Sequence, residues 1–577
     1  MKKPVSRAKV LASAAVTAGL CLTGTAALST PSQAATGSCD TAFPVANLTP
    51  DQVVHGLTVS SGTTPSAFDG SVIGVLHDGI QPGVDMVMMK LSSPGITDVG
   101  GIWEGMSGSP VYASDGSLIG AVAYTLSYGP TPIAGITPWE DMEAYAGTPA
   151  PPLHVKISSA AAKKIAAASD VTKAQAASGF RELQAPTVVS GLGPRALAKA
   201  TGRPYLSSGV TAAGRATGAS SPDASDMVAG GNLVATEATG DIVFGGLGTI
   251  TSVCTGRVVG FGHPMEFAGS TTYGMAGADA LYIQGDSLGS PYKVANLGDL
   301  LGTIDQDRMT GISGPIGPIP DSTPITSTVT YHPDSGAVRT RTGSSDVQLP
   351  AASAAVTFYE LVENHQNVLD AYQGGSEAQS WTIHGSTPDG PFTFKGGNRY
   401  ADSTDITFGS TFDVPDLVYL LTNVDGVTVD SVDVTSDVVD DSSVLKIVGA
   451  DQRRGGAWHA VDSHSPLLLK AHSTATLRLR YAGGTHGPAF HLVVPAGTSG
   501  FRGSLSASEV ESFPFERGFP RTLAGVKKLV QKAKRNDQAQ IDFFAFGGKT
   551  KPVESQQFTA PGNKVITGHL NLKVKVS

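Results

Sequence analysis

A serine lies between glycines in the segment Glu104-Gly-Met-Ser-Gly-Ser-Pro110, directly before an alternating apolar stretch that ends at Tyr124. Glycines let a backbone turn tightly enough for successive N–H groups to point at one place, where they could stabilise a tetrahedral oxyanion. Ser107 is therefore a candidate nucleophile, and the N–H groups of Gly105, Met106 and Ser107 are the candidate oxyanion donors. The alternative is a structural serine in a glycine-rich turn, and the motif alone leaves both interpretations open.

The flanks of this motif predict strand and turn on both sides. Asp115-Gly116, placed between two apolar runs, is typical of a β-hairpin. Ser109 stands where the G-x-S-x-G nucleophile elbow has its last glycine, and that elbow leads into a helix and not into a strand. Both features argue against an α/β-hydrolase.

A second motif, Arg257-Val-Val-Gly-Phe-Gly-His-Pro-Met265, offers a base for such a serine. His263 follows an apolar strand, and Pro264 restricts the histidine backbone to extended or turn conformations. The imidazole is therefore expected at a strand end, facing a cleft. His77 is the alternative because it belongs to the same strand cluster as Ser107, and local composition does not separate the two histidines.

Composition indicates a β-rich, exported protein. The chain has 577 residues, 70 of them glycine, which favours several loop-rich β domains. Residues 1–34 predict a cleaved signal peptide, with basic Lys2, Lys3, Arg7 and Lys9 before an apolar stretch and a Ser-Gln-Ala34 cleavage site. The formal net charge is −9, and loss of four basic residues with the signal makes the mature chain more acidic. This charge argues against nucleic acid as a partner.

Export also bears on membranes and cysteines. No segment after the signal is apolar enough to span a bilayer, so we expect a secreted or envelope-associated protein. Cys39 and Cys254 could pair in an oxidising compartment, and two free thiols are the alternative. No zinc, phosphate-loop or dinucleotide motif occurs, so we expect neither a metal nor a cofactor.

Changes of pattern divide the chain into seven regions. The expected order is a signal peptide at 1–34, a serine-bearing β region at 35–149, an Ala-rich helical connector at 150–204, a histidine-bearing β region at 205–345, an amphipathic helix at 346–380, a β-sandwich-like domain at 381–510, and a helix with strands at 511–577.

Three features outside the candidate site have structural interpretations. The helix predicted over 357–372 carries His365 on its apolar stripe, where a core histidine is expected and not a ligand. The aspartates interleaved with valines over 427–441 lack EF-hand spacing and predict a strand with a solvated acidic face. The basic amphipathic helix over 521–535 could lie on an anionic surface, but we expect it to cap its own domain.

Three segments together resemble the SpoIVB-type sporulation serine peptidases. Gly100-Gly-Ile-Trp-Glu-Gly-Met-Ser-Gly-Ser-Pro-Val-Tyr112, followed by Leu118-Ile-Gly-Ala-Val-Ala123, resembles their nucleophile region. Gly260-Phe-Gly-His-Pro264 is similar to their Gly-His catalytic segment, and Leu301–Ile312 resembles the segment that follows the histidine. The resemblance covers about residues 50–320.

The resemblance implies a chymotrypsin-like double β-barrel with the active site between the barrels, here followed by a β-sandwich-like C-terminal region. It implies Ser107 as nucleophile and His263 as general base. The substrate pocket would be walled by the strand that ends at Tyr124 and by the loop to Gly135, with Ala123 as a further lining residue.

Two departures from the family concern the catalytic residues. The family has its histidine segment before its serine segment, whereas Ser107 here precedes His263. The family's acid does not carry over, because Ser92 occupies its aligned position. Asp307 is our candidate for orienting the imidazole, and Asp305, Asp98 and Asp85 are the alternatives.

The sequence thus predicts an exported serine endopeptidase that acts on a protein or peptide substrate. In this interpretation the C-terminal β domain contacts the substrate or the cell envelope. The alternative is a catalytically inactive envelope scaffold or binding protein that retains the peptidase fold.

Overall fold

The computed structural model describes residues 39–577, with gaps at 128, 145–153, 156, 169–170, 184–186, 207–209, 216–220, 288, 462–465, 501, 510–519 and 546–553. The expected signal peptide, residues 1–34, lies outside the described residues. Strands dominate the described part of the chain, so the expectation of a mainly β protein is confirmed. Within that part, no helix is long and apolar enough to cross a membrane.

The serine-bearing region forms a closed, six-stranded antiparallel barrel. Its elements, with those of the connector that follows, are β1 (Val53–Thr58), β2 (Ser66–Gln81), β3 (Val84–Ser92), α1 (Pro94–Val99), β4 (Pro110–Tyr112), β5 (Leu118–Leu126), β6 (Ile133–Pro138), α2 (Trp139–Ala144), β7 (His154–Val155), α3 (Ser159–Ala168), α4 (Lys173–Ala177) and β8 (Phe180–Glu182). Pairing follows the order β4-β1-β2-β3-β6-β5 and closes between β5 and β4. Every residue of β5 is buried, because one face lines the barrel and the other is covered by neighbouring segments.

The chain from residue 187, within the connector, to residue 439 builds one fourteen-stranded sheet. Its elements are β9 (Thr187–Ser190), α5 (Pro194–Lys199), β10 (Thr211–Ala212), β11 (Gly214–Arg215), β12 (Asn232–Gly240), β13 (Val243–Cys254), β14 (Arg257–Gly260), β15 (Gly269–Gln284), β16 (Tyr292–Arg308), β17 (Gly311–Pro315), β18 (Thr323–His332), β19 (Arg339–Val347), α6 (Ser353–Leu369), β20 (Gly375–Thr387), β21 (Gly390–Asp402), α7 (Ile406–Ser410), α8 (Asp413–Thr422) and β22 (Thr428–Val439). The order is β10-β9-β13-β14-β17-β16-β15-β12-β19-β18-β22-β20-β21, with β11 beside β16. Because β12 also pairs with β13, strands β12–β17 form a closed circuit of antiparallel pairings, here called the six-strand circuit.

The C-terminal region packs two five-stranded sheets around one apolar core. Its elements are β23 (Leu445–Arg454), β24 (Ala457–Val461), β25 (Leu467–Leu469), β26 (Ser473–Tyr481), β27 (Phe490–Val494), β28 (Arg502–Glu509), α9 (Leu523–Lys532), β29 (Gln538–Ala545), β30 (Glu554–Thr559), β31 (Ile566–Thr567) and β32 (His569–Val576). This corrects the sandwich expected at 381–510. The part up to 439 extends the large sheet instead, because β22 pairs with both β18 and β20.

The amphipathic helix predicted over 357–372 is α6. It begins four residues earlier and ends at Leu369, because Asp370 adopts a left-handed conformation with φ 53°. His365 is fully buried in this helix. Its Nδ1 lies 2.6 Å from the Leu361 carbonyl oxygen and its Nε2 lies 3.1 Å from Glu377 Oε2, so His365 is a satisfied core histidine.

The two charged segments noted in the sequence both lie against the protein with their apolar sides. In α9, Val526 is buried, and three further residues pack against the apolar cluster of α6 and α8: Leu523, Leu529 and Val530. This helix therefore caps its own protein. In β22, the valines at 429, 432, 434 and 438 are buried while Asp430, Asp433 and Asp437 are exposed, which gives the expected solvated acidic face.

A disulfide joins Cys39 to Cys254 at the end of β13. Next to it, the Asp40 carboxylate accepts a hydrogen bond from the Ser252 hydroxyl. The Asp40 carbonyl oxygen accepts another from Trp139 Nε1 at 3.2 Å. The bridge closes a sequence separation of 215 residues. Loops of this size are the ones whose closure removes most conformational freedom from the unfolded chain.

We expect Cys254→Ser to lower the free energy of unfolding by about 2–5 kcal/mol, because the unfolded chain regains that freedom. Chemical denaturation of the purified protein measures the loss. Cys39→Ser and the double variant should show the same loss as Cys254→Ser, since each removes the same bond. Unequal or additive losses would contradict this account of the bridge.

Candidate active site

The loop that carries Ser107 consists of two consecutive tight turns. The Met106 N–H donates to the Trp103 carbonyl oxygen, and the Ser109 N–H donates to the Met106 carbonyl oxygen, both at 3.0 Å. Gly108 has a φ of 96°, and a Cβ at this position would lie 1.9 Å from the Thr249 carbonyl oxygen. Both the backbone conformation and the available space therefore require glycine at 108.

Strand β13 of the six-strand circuit holds this loop from the other side. The Thr249 N–H donates to the Ser107 carbonyl oxygen at 2.7 Å, and the Thr249 hydroxyl donates to the Gly105 carbonyl oxygen at 3.0 Å. The Thr251 hydroxyl donates to the Gly108 carbonyl oxygen at 2.8 Å. The loop is thus fixed between the barrel and the large sheet.

The Ser107 hydroxyl is fully buried and already has a partner. Its Oγ donates to the carbonyl oxygen of Leu183 at 2.6 Å. Leu183 follows β8, and its own N–H donates to the Ala123 carbonyl oxygen at 2.8 Å. A segment of the connector therefore lies directly over the candidate nucleophile.

Two of the three expected oxyanion donors remain available. The Met106 N–H is used in the turn to Trp103, which corrects its assignment as an oxyanion donor. Among the described residues, the N–H groups of Gly105 and Ser107 have no hydrogen-bond partner. Amides at positions i−2 and i of a nucleophile loop can converge on one oxygen because the residue between them turns away.

His263 projects from a strained turn at the end of β14. Phe261 has a φ of 68° and Gly262 a φ of 71°, and left-handed backbone in a bulky residue such as Phe costs free energy. His263 is only 2% exposed, and its Nδ1 lies 2.6 Å from the Pro264 carbonyl oxygen. A carbonyl can only accept, so Nδ1 carries the proton and Nε2 presents its lone pair. Nε2 is buried and has no hydrogen-bond partner among the described residues.

The structure brings the serine and histidine motifs into contact. A Cβ on Gly108 would lie 2.5 Å from the Phe261 nitrogen, and one on Gly262 would lie 3.0 Å from the Ala123 Cβ. Ala123 also bonds Leu183, the partner of Ser107. In the described part of the chain no hydrogen bond joins Ser107 to His263, so the two motifs are in contact but their serine and histidine do not form a hydrogen-bonded dyad.

Asp307 is close to the histidine loop but does not orient the imidazole. Its carboxylate is fully buried and accepts four hydrogen bonds, from the N–H groups of Met265, Glu266 and Ala268 at 2.9, 2.8 and 3.1 Å and from the Tyr273 hydroxyl at 3.0 Å. The Pro264 carbonyl takes the orienting role instead. Asp307 is a positioning residue that shapes the loop after His263.

The alternative residues lie away from this arrangement. Asp305 forms an ion pair with Arg257, and Asp98 is exposed in α1. His77, the other candidate base, lies on the surface with its Nδ1 2.9 Å from Asp85 Oδ2. Neither residue of that pair contacts Ser107 through a hydrogen bond in the described residues.

The expected substrate pocket is filled by protein. Ala123 and Tyr124 are buried, and Ala123 meets the backbone of Leu183. A Cβ on Gly135 would lie 2.6 Å from Met86 Sδ and 2.8 Å from the Tyr124 Cβ. Met86 and Tyr124 belong to the apolar cluster that α3 covers on the outer face of the barrel, so Gly135 is packed against protein there, which corrects its assignment to an open pocket. The sequence pattern could not show this, because it depends on which distant segments cover that face.

Lys293 is a buried residue of this site that the sequence analysis missed. Its stem lies against Gly105, with the lysine Cβ 3.0 Å from the position of a Cβ there, and its N–H donates to the Glu104 carbonyl oxygen at 3.0 Å. Nζ donates to Asn232 Oδ1 at 2.7 Å. Burial lowers the pKa of Lys293 to about 7. A lone lysine in the alternating strand Tyr292–Leu297 was the available signal.

Two other places could hold a ligand or ion. Carboxylate oxygens of Asp241, Glu360 and Glu363 lie close enough together for a metal, but Arg341 donates to Asp241 and to Glu363 at 2.8 Å each and so already pairs with two of the three. A cavity of about 630 Å³ lies between β20, β21 and α9, far along the chain from the Ser107 loop.

Comparisons with known proteins identify no relative of this chain. No protein-family model, no curated protein and no solved structure matches it. What the site can do therefore follows from its own geometry and chemistry.

We expect Asp307→Asn to destabilise the protein by about 1–3 kcal/mol, because buried N–H groups of the histidine loop lose a charged acceptor. Asp305→Asn is the matched control. Its carboxylate is 39% exposed beside Arg257, and loss of such a pair costs about 0–1 kcal/mol. Hydrogen exchange at Met265 and Glu266 should accelerate only in Asp307→Asn. Equal protection in both variants would contradict the positioning role.

Lys293 predicts a pH dependence of stability. Because burial lowers its pKa to about 7, the unfolded chain binds more protons than the folded chain from about pH 7 to about pH 10. Stability contributed by this group is therefore lowest below pH 7 and rises with pH through that window.

Denaturation of wild type and Lys293→Met at pH 7, 8 and 9 measures this effect. The free energy of unfolding of the wild type should rise relative to the variant by up to about 1.4 kcal/mol per pH unit. Lys446→Met, at an exposed position of β23, is the control and should follow the wild type. Parallel pH profiles of wild type and Lys293→Met would show that Lys293 stays charged.

Proposed function

We propose that this protein is an exported serine endopeptidase of the SpoIVB type, with Ser107 as nucleophile and His263 as general base. One observation carries the proposal. The Pro264 carbonyl fixes the proton on His263 Nδ1 and leaves Nε2 buried and unpartnered among the described residues, in a motif whose Phe261 backbone contacts the Ser107 loop at Gly108. An imidazole in that tautomer is prepared to accept a proton.

The strand pairings support the fold that this function would use. The closed barrel of β1–β6 carries Ser107, and the six-strand circuit of β12–β17 leads into His263. Under this proposal the two six-stranded units, with the candidate residues in the segments where they meet, are the two barrels of a chymotrypsin-like fold. The order of the two motifs along the chain is no obstacle, because a catalytic arrangement is defined in space.

The chemistry would proceed through an acyl-enzyme. His263 Nε2 takes the Ser107 proton as Oγ attacks the peptide carbonyl carbon, and the imidazolium then returns that proton to the leaving amine. Amides of Gly105 and Ser107 hold the negative oxygen. Water then attacks the ester with His263 again as base. Before the first step, Ser107 Oγ has to leave the Leu183 carbonyl and turn toward Nε2.

Export is part of the same proposal. The basic and apolar pattern of residues 1–34 is that of a secretory signal, and a disulfide between Cys39 and Cys254 suits an oxidising compartment. A protein or peptide substrate outside the cytoplasm is the expected partner, and the C-terminal sandwich is a candidate surface for contact with that substrate or with the cell envelope.

A non-catalytic scaffold is the second candidate, and one observation favours it. Ser107 Oγ is satisfied by Leu183 and makes no hydrogen bond to His263 in the described part of the chain. A buried hydroxyl with a backbone acceptor is a normal structural arrangement. Under this alternative the glycine-rich loop only joins the barrel to the large sheet.

Labelling with a serine-reactive phosphonate tests the proposal. We expect slow, stoichiometric labelling of the mature protein at Ser107, no labelling of Ser107→Ala, and a rate about 10²–10⁴-fold lower in His263→Ala. Ser109→Ala is the matched control, since Ser109 is also buried in this loop but donates to the Thr58 hydroxyl at 2.9 Å. Mass spectrometry locates the adduct.

The two candidates predict opposite results in this experiment. Labelling that depends on Ser107 and His263 but not on Ser109 supports the peptidase. If the folded protein never reacts, or if the Ser107→Ala variant reacts as well as the wild type, the peptidase proposal is overturned and the scaffold is favoured.

A further inference from the structure

The connector supplies a short strand that lies along β5 beside Ser107. Tyr124 pairs with Glu182, Thr125 with Arg181 and Leu126 with Phe180, all antiparallel. The Leu183 N–H continues this ladder by donating to the Ala123 carbonyl oxygen at 2.8 Å. Phe180–Leu183 is here called the connector strand.

This arrangement is that of an extended peptide bound to a sheet edge. Addition of a strand is a general way for proteins to bind peptides, with main-chain hydrogen bonds for affinity and pockets for alternate side chains. The connector strand ends with the Leu183 carbonyl 2.6 Å from Ser107 Oγ. Leu183 therefore takes the place of the residue whose carbonyl the serine would attack.

The Leu183 side chain fills a pocket at the same place. It is fully buried in an apolar cluster that includes Ile102, Trp103 and Met106 of the nucleophile loop. An aliphatic side chain of this size is thus what the space beside Ser107 accepts. Phe180, three residues earlier, is buried in a separate cluster with Met86 and Tyr124. Side chains in two different apolar clusters therefore anchor the two ends of the connector strand.

Arg181 ties the connector strand to both halves of the site. Its Nη2 donates to the Ser290 hydroxyl at 2.6 Å, beside β16, and lies 3.6 Å from Glu104 Oε1. Burial, partly offset by Arg181, raises the pKa of Glu104. The contact therefore spans the large sheet and the nucleophile loop.

We propose that the connector strand is an internal pseudo-substrate that occupies the peptide-binding cleft and keeps the peptidase latent. This inference depends on the proposed function. Substrates would displace Phe180–Leu183, pair with β5 in the same register, and place leucine or a similar aliphatic residue before the scissile bond.

The geometry explains why this occupant blocks the site. Ser107 Oγ donates its hydrogen to the Leu183 carbonyl oxygen, so the lone pairs of Oγ do not point at the Leu183 carbonyl carbon. The N–H groups of Gly105 and Ser107, which would hold the oxygen in the transition state, make no hydrogen bond to it. Leu183 is therefore bound outside an attack geometry.

The test compares labelling rates of the full mature chain and of a variant with a weakened connector strand. Arg181→Ala/Leu183→Ala removes the tether and the side-chain anchor. Phosphonate labelling of Ser107 should become at least about tenfold faster, because the fraction of molecules with an accessible serine rises. The control, Leu192→Ala/Arg195→Ala, makes the same changes in the same connector, where Leu192 is buried and Arg195 lies over the Tyr372 ring. It should label like the wild type.

A peptide aldehyde tests the register and the pocket. Acetyl-Phe-Arg-Glu-leucinal has the sequence of the connector strand. Ser107 Oγ adds to its aldehyde carbon, and the hydroxyl proton passes to the aldehyde oxygen, which gives a hemiacetal. It should slow phosphonate labelling of Arg181→Ala at least about tenfold more effectively than the aspartal analogue, because a charged side chain is costly in the apolar pocket. Arg181→Ala alone retains Leu183, so this measurement stands if the double variant does not fold.

Failure of this inference is distinguishable from failure of the proposed function. Ser107-dependent labelling at equal rates in wild type and Arg181→Ala/Leu183→Ala, with no preference for the leucinal, overturns the pseudo-substrate and leaves the peptidase intact. Absence of Ser107-dependent labelling in every folded variant overturns the peptidase itself.

Discussion

Thr249 makes the contacts on which the geometry of the site depends. Its N–H bonds the Ser107 carbonyl, its hydroxyl bonds the Gly105 carbonyl, and its own carbonyl accepts from the Phe261 N–H at 3.3 Å. One residue of β13 therefore sets both the serine loop and the turn that leads to His263. Because Gly108 lies against the same carbonyl, neither loop can move without moving a central strand of the large sheet.

Local backbone signals explain why the sequence singled out Ser107 and His263 as candidates. Ser107 and His263 both stand in segments rich in glycine, with a proline close by, and such segments constrain turns over a few residues. The roles of Asp307 and Gly135 depend instead on contacts between distant parts of the chain. Their roles are decided by which residues meet across 34 or more positions, as when Met86 fills the space beside Gly135, and alternation along one strand carries no such information.

The connector shows more clearly that local sequence patterns do not predict long-range strand pairing. Its alanines and lysines predict helix, and α3, α4 and α5 are present in it. The strand of three residues that ends before Leu183 is too short to show alternation, and it exists because β5 offers unpaired backbone groups beyond its pairing with β4. The mainly β class was predictable from strand and turn patterns, whereas a barrel was expected only from the resemblance of the motifs to a peptidase family. The C-terminal sandwich lies later in the chain than expected, because the local sequence does not encode which strands pair.

The order of the motifs along the chain has a consequence for how the protein is made. Synthesis from the N-terminus delivers Ser107 first, Leu183 second and His263 last, and N-terminal units generally fold before the rest of the chain is complete. The residue that covers the serine is thus translated before the histidine that would activate it. A chain with the histidine segment first would expose a complete serine–histidine pair before any covering strand emerged, whereas in this chain the strand that covers the candidate nucleophile is synthesised before the candidate base.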